Sequence, residues 1–159
     1  MIAPPRGIDE IRALYGDPRP LVRDDGTVSP IWEARMTKLE MPTPLPLGWN
    51  REAFAKTVRI NQAIVDQVKD VFAELEFSGL WKELTTYDGG YTFRLQRGGT
   101  KLSMHGFGGA LDFDGPWNRL GKPPQMDRRI VRVFEDHGWT WGGRWRRPDG
   151  MHFQFGRSY

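Results

Sequence analysis

The sequence predicts an α+β fold in which a small antiparallel sheet is flanked by helices. Three observations lead there. Some stretches show the two-residue alternation of strands, and others the three- and four-residue apolar steps of helices. Gly-rich turns separate them, and their order lacks the regular strand–helix alternation of a parallel sheet. The 159 residues fit one domain, and a domain of that size buries roughly 70% of its unfolded surface. Residues 1–159 are therefore read as a single domain, with a Pro/Gly-rich segment 1–50 packed on a core of 51–156.

Element by element, Ile8–Leu14 reads as a short helix, and Asp17-Pro18-Arg19-Pro20 and Asp24-Asp25-Gly26-Thr27 as turns. Trp32–Met41 reads as a strand, and Pro42–Pro46 as an extended connection. Val58, Ile60, Ile64, Val65, Val68, Val71, Phe72, Leu75, Leu80 and Leu84 recur mostly at helical steps. They predict one long amphipathic helix, broken near Ser78-Gly79 and resuming to about Thr85. Strands follow at Tyr91–Gln96, Ala110–Asp114, Trp139–Trp141 and His152–Phe155, with a helix at Gln125–His137. No internal repeat or low-complexity tract is visible.

Composition narrows the chemistry. There are no cysteines, so disulfides and thiolate metal sites are excluded. A transition metal would have to be held by His, Asp or Glu, and the histidines are His105, His137 and His152. The net charge of +3 suits an anionic polymer but is too weak to argue for nucleic acid. The first residues lack the apolar core of a secretory signal, and no run approaches the 18 or so apolar residues of a membrane span. A product made in a host cytoplasm, with no membrane segment, is the expectation.

The informative stretch is Ser103–Asp114, Ser-Met-His-Gly-Phe-Gly-Gly-Ala-Leu-Asp-Phe-Asp. A catalytic zinc site needs three nitrogen or oxygen ligands and one open position. If the chain reverses at Gly108-Gly109, His105 and Asp112 become opposed partners in a hairpin, about 5 Å apart at Cβ. In the second segment, Asp149–Phe155, alternation sends Phe153 and Phe155 to the core and His152 with Gln154 to the other face. His152 then supplies the third ligand. Asp149, three residues earlier in a turn, is a carboxylate near the metal but not needed to bind it, which is where a general base belongs.

These residues resemble the zinc D-alanyl-D-alanine carboxypeptidases and L-alanyl-D-glutamate endopeptidases, in their VanY-like and phage endolysin-like branches. The family pattern Ser-x-His-x-x-Gly-x-Ala-x-Asp is met at Ser103, His105, Gly108, Ala110 and Asp112. The second motif, an acid three residues before a His followed by an aromatic, is met by Asp149, His152 and Phe153. Tyr87–Tyr91 with Arg94 and Arg97-Gly98 is similar to the arginine-bearing strand of the endolysin-like branch, and Gly138–Gly143 also fits. The resemblance covers roughly residues 50–156. It implies a fold like that of these peptidases and of the related hedgehog signalling domain. Zinc would be bound by His105, Asp112 and His152, with Asp149 as acid/base. It points to Arg94 as the group facing the oxyanion, with Arg97 second. Many relatives carry Glu where Asp149 stands.

The function implied is hydrolysis of peptidoglycan stem peptides by a monomeric, phage-type endolysin. The alternatives are D-alanyl-D-alanine carboxypeptidase action and a zinc-containing wall-binding domain without catalysis. Ser103 is assigned to support of the metal shell, and Asn118 and Gln154 to support or substrate contact. Asp114 shares the strand parity of Asp112, but the family register favours Asp112. His137 reads as structural, at a helix end. Trp139, Trp141 and Trp145 beside Arg144, Arg146 and Arg147 form an aromatic–basic cluster of the kind that holds single-stranded nucleic acid. The alternation of Trp139 and Trp141 fits core strand positions better, and the arginines fit a cleft facing an anionic wall polymer.

Overall fold

The computed structural model describes residues 2–159. The first helix, α1 (Gly7–Tyr15), carries Asp9 and Glu10 in its first turn, where acidic charge complements the helix dipole, and buries Ile11 and Tyr15. A one-turn helix α2 (Pro30–Glu33) is capped by the Ser29 hydroxyl, which accepts from the Ile31 N–H. A long hairpin follows, β1 (Met36–Leu47) and β2 (Asn50–Asn61). The chain then enters α3 (Val65–Phe77), β3 (Tyr87–Gly89), the short α4 (Met104–Phe107), β4 (Ala110–Phe113), α5 (Arg128–Asp136), β5 (Thr140–Trp141) and β6 (His152–Gln154).

Among the described residues the strands form one sheet of order β2-β1-β3-β4-β6-β5. All neighbours are antiparallel except β1 and β3, which meet at the parallel pair Leu47 and Tyr87. The α+β reading of the sequence is thus the observed architecture. Helix α3 packs against β1 and α5, burying Val68, Val71, Phe72 and Leu75. The core beneath β4 and β6 is aromatic. Phe134 of α5 stacks on Phe153 at 4.0 Å, and Phe113 meets Trp81 and Tyr87 edge-on or tilted. Such contacts add to the burial of large apolar rings.

The sequence reading needs correction in three places. Val58 and Ile60 belong to β2, and the long helix is confined to Val65–Phe77. Thr57-Val58-Arg59-Ile60 is β-branched and alternates, with Val58 and Ile60 fully buried around an exposed Arg59. Its two-residue period was masked because the step from Ile60 to Ile64 also suits a helix. The helix stops at Ser78, before Gly79 (φ 72°), and only a 3₁₀ turn at Trp81–Glu83 follows.

Trp32 lies in α2, not in a strand, and β1 starts at Met36 and runs on through the proline-rich connection to Leu47. Its pairing with β2 is interrupted between Glu40 and Leu45. Pro42 and Pro44 offer no N–H to a ladder, so the irregularity falls where they stand. Tyr91–Gln96 is extended but is not a strand of the sheet. Its backbone bonds go to several places: Tyr91 N–H to Arg59, Thr92 N–H to His105 and Gln96 N–H to Lys101. A single bridge joins Leu95 to Leu102.

Candidate metal centre and its cleft

His105 stands on one turn of helix. The Ser103 hydroxyl caps α4 by accepting from the His105 N–H at 3.2 Å, and Gly108 ends it in the left-handed region at φ 72°. A Cβ on Gly108 would lie 2.6 Å from Met36 Sδ and 2.7 Å from Asn61 N, so glycine is required on both counts. The expected hairpin pairing of His105 with Asp112 is therefore not how the two meet. Capping by Ser103 and the glycine stop favour a helical turn, and the turn swings His105 over the end of β4. The cross-strand partner of Asp112 is His152, in the antiparallel register of β4 and β6. Strand alternation acts as expected on both strands. Leu111, Phe113 and Phe153 are fully buried in the core, while Asp112, His152 and Gln154 face the site.

Three donor atoms converge. His105 Nε2 lies 3.1 Å from Asp112 Oδ1 and 3.1 Å from His152 Nδ1, and His152 Nδ1 lies 3.0 Å from Asp112 Oδ1. The outer ring atoms determine what these contacts are. His105 Nδ1 sits 2.7 Å from the Gly90 carbonyl, an acceptor, so this nitrogen carries the proton. Gln154 Nε2 donates to the Gly156 carbonyl at 3.1 Å, which leaves its Oε1 to accept from His152 Nε2–H at 3.0 Å. In these tautomers each imidazole turns a lone pair inward, and Asp112 adds a carboxylate oxygen. Three lone pairs at this spacing repel unless a cation lies among them. A tetrahedral ion with bonds near 2.0–2.1 Å keeps its ligand atoms about 3.3–3.4 Å apart, close to the spacing found. The donor set, two imidazoles and one carboxylate, is one that zinc accepts. The residues fit the metal.

Protonation reports the same demand for positive charge. Burial pushes the Asp112 carboxyl up, but the charge and hydrogen bonds of His105 and His152 outweigh it and hold it well below the usual carboxylate range. Burial pushes His152 down, and the Asp112 hydrogen bond and charge, with help from Asp149, reverse this and raise it.

The triad lines a cleft together with Ser103, Arg94, Gln96, Arg97, Trp145, Arg147, Asp149, Met151 and Gln154. Asp149 lies in the turn before β6, held by its N–H to the Gly142 carbonyl. Its Oδ1 is buried with no hydrogen-bond partner among the described residues. Burial raises its carboxyl above the ordinary value, against the lowering effect of His152. A half-desolvated carboxylate beside three converging donor atoms is equipped to take and return a proton. Arg94 and Gln96 line this cleft, whereas Phe93 and Leu95 line a neighbouring apolar groove that Arg94 also borders.

Residues 97–155 match the family model of D-alanyl-D-alanine carboxypeptidases. The matched segment is well under half of the chain. It includes His105, Asp112, Asp149 and His152, and Arg97, but leaves Arg94 outside. No curated protein and no solved structure matches the chain. The similarity to that peptidase family therefore rests on the segment that carries the converging donor atoms.

Other residues fall into place around it. Ser103 supports the shell through the backbone of His105, and Gln154 through the ring of His152. Asn118, expected to support the site or touch substrate, is buried instead. Its Nδ2 donates to the Asp114 carbonyl and its Oδ1 accepts from the Gln125 N–H, so it shapes a loop and does not line the cleft. Asp114 takes no part in the three-donor cluster and accepts from Thr85 and Thr86. His137 pairs with Glu74 at 2.6 Å at the end of α5. Trp139 and Trp141 are core residues, and Arg144 is held by Glu135. Trp145 departs from its neighbours, since it is partly exposed and its ring lies 5.3 Å from that of His152. Its sequence signal was faint: the glycine pair Gly142-Gly143, which turns the chain after β5 and moves Trp145 out of the core pattern. Met151 and Leu120 supply apolar lining and carry no sequence signal.

Proposed function

We propose that this protein is a zinc peptidase that hydrolyses a peptide bond in the stem peptides of bacterial peptidoglycan. The observation that carries the reading is the meeting of three inward-facing lone pairs with the unpartnered carboxylate of Asp149 in one cleft. His105, Asp112 and His152 would hold the ion. When bound, zinc supplies Lewis acidity that polarises a carbonyl and acidifies water. Asp149 takes the proton from the attacking water and returns it to the leaving amine; its raised pKa suits both directions of transfer. Arg94, facing the same cleft, offers a fixed positive charge to the oxyanion that develops at the carbonyl. Trp145 and Met151 exclude water around the ring of His152.

Space beside His105 and Asp112 extends two ways, towards Gln96, Trp145 and Tyr159 and towards Gly48, Trp49 and Arg119. Room on both sides favours cleavage of an internal bond, the endopeptidase form of an endolysin, over removal of a terminal D-Ala. The test combines metal analysis with mass spectrometry of digested muropeptides, for wild type and His152→Ala. A new N-terminal D-Glu supports the endopeptidase, and loss of D-Ala the carboxypeptidase. Full activity in a zinc-free His152→Ala protein would refute the mechanism.

A further inference from the structure

The arm of the cleft that runs past Gly48 and Trp49 is lined by Arg94, Arg97, Arg119 and Arg147. Among the described residues, none of these guanidinium groups forms an ion pair, whereas Arg19, Arg59, Arg129 and Arg144 elsewhere are each matched to a carboxylate. Two of them are brought together by the backbone. Arg119 lies on the loop after β4 and Arg147 on the loop before β6, and the Gly121 N–H donates to the Pro148 carbonyl at 2.6 Å, stitching the two loops. Gly121 has φ 77°, and a Cβ there would lie 3.6 Å from Arg147 Nε, so the Arg147 side chain passes over that glycine. Besides Asp112, the acid of this arm is Asp88, and its Oδ2 already accepts from Thr86 Oγ1 and the Gly115 N–H. Trp49 is largely exposed at the rim, on the turn between β1 and β2.

Unpaired guanidiniums converging on a groove are forks awaiting planar anions, and a carboxylate matches that geometry in two parallel bonds. We propose that Arg119 and Arg147, with Arg97 beside them, form a subsite for a substrate carboxylate next to the scissile bond, so that the protein selects acidic peptides over their amides. The assignment rests on the peptidase reading for the nature of the ligand. Arg119 and Arg147 are specificity residues here, distinct from Arg94.

The test uses zinc-loaded protein and peptide pairs that differ only in Glu or Gln, at the residue before or after the cleaved bond. Wild type should prefer the Glu peptide of one pair by about tenfold in kcat/KM or in affinity, the ratio that one charge-assisted contact supports. In Arg119→Met/Arg147→Met the ratio should fall to near one, mainly through KM, while Arg146→Met, exposed and outside the cleft lining, should keep it. Calorimetric binding of the same peptides to Asp149→Asn protein reads the subsite without turnover. A preserved Glu preference in binding with no hydrolysis by wild type would overturn only the peptidase reading. Equal handling of Glu and Gln by wild type in both assays, or a preference that survives the double substitution, would overturn the subsite.

Discussion

Gln154 provides the sharpest test of the proposed metal centre, because it lies outside the three-donor cluster yet decides which nitrogen of His152 faces the other two donors. Its Oε1 accepts from His152 Nε2–H at 3.0 Å, and its own amide is oriented by the Gly156 carbonyl at 3.1 Å. In Gln154→Leu the imidazole would lose that preference. Two tautomers of comparable energy leave half the population with a proton where the lone pair is needed, a loss of about twofold. A cation on Nδ1 also makes the opposite N–H a stronger donor, so the lost bond is worth more in the loaded protein. About 1 kcal/mol of difference adds roughly fivefold. The product, about tenfold weaker zinc binding, sits at the lower end of the 10–100-fold typical of such supporting groups. Competition titration against a chromogenic chelator measures it, with the thermal melt of the metal-free protein as control for folding. Gln154→Glu keeps the acceptor and should recover most of the affinity. Unchanged affinity in a folded Gln154→Leu protein would refute the tautomer assignment, and with it the claim that three lone pairs face inward.

Arg94→Met should lower kcat by about 10²–10³-fold with little change in KM, since the charge acts on the oxyanion; a change confined to KM would reassign Arg94 to substrate binding. Asp149→Asn should abolish turnover while altering stability in a pH-dependent way. A raised carboxyl pKa means the folded state holds the proton more tightly than the unfolded, so this group's contribution to stability declines as pH climbs from the unfolded to the folded pKa. The metal-free Asn variant lacks that decline, so its Tm should gain on wild type as pH climbs above the ordinary carboxylate value, and a constant offset would count against the burial effect. Phe153→Ala removes the ring stacked at 4.0 Å on Phe134 and should cost about 3–5 kcal/mol by chemical denaturation. Zinc affinity should fall with it, because β6 carries His152 on its opposite face.

Local rules suffice for much of this molecule. Alternation along His152–Phe155 sorted site from core correctly, because a strand presents neighbouring side chains to opposite faces whatever surrounds it. The absence of cysteine left His, Asp and Glu as the only donors, and the paired motifs selected His105, Asp112 and His152, whose ligand atoms gather within 4.8 Å. The α+β class followed from mixed periodicities and glycine turns. Tertiary structure decided the rest. Val58 and Ile60 suit either a strand or a helix by spacing, and only pairing of β2 with β1 resolves them. Asp112 could be opposed to His105 by index arithmetic, yet the sheet pairs it with His152, because the Ser103 cap and the left-handed Gly108 close His105 into a helical turn instead of a strand. Arg119 and Arg147 stand on separate loops, and only the bond from Gly121 to Pro148 makes them neighbours. Periodicity belongs to one segment at a time, whereas register and loop contacts depend on what two distant segments bury together, and that is fixed only when the whole core closes.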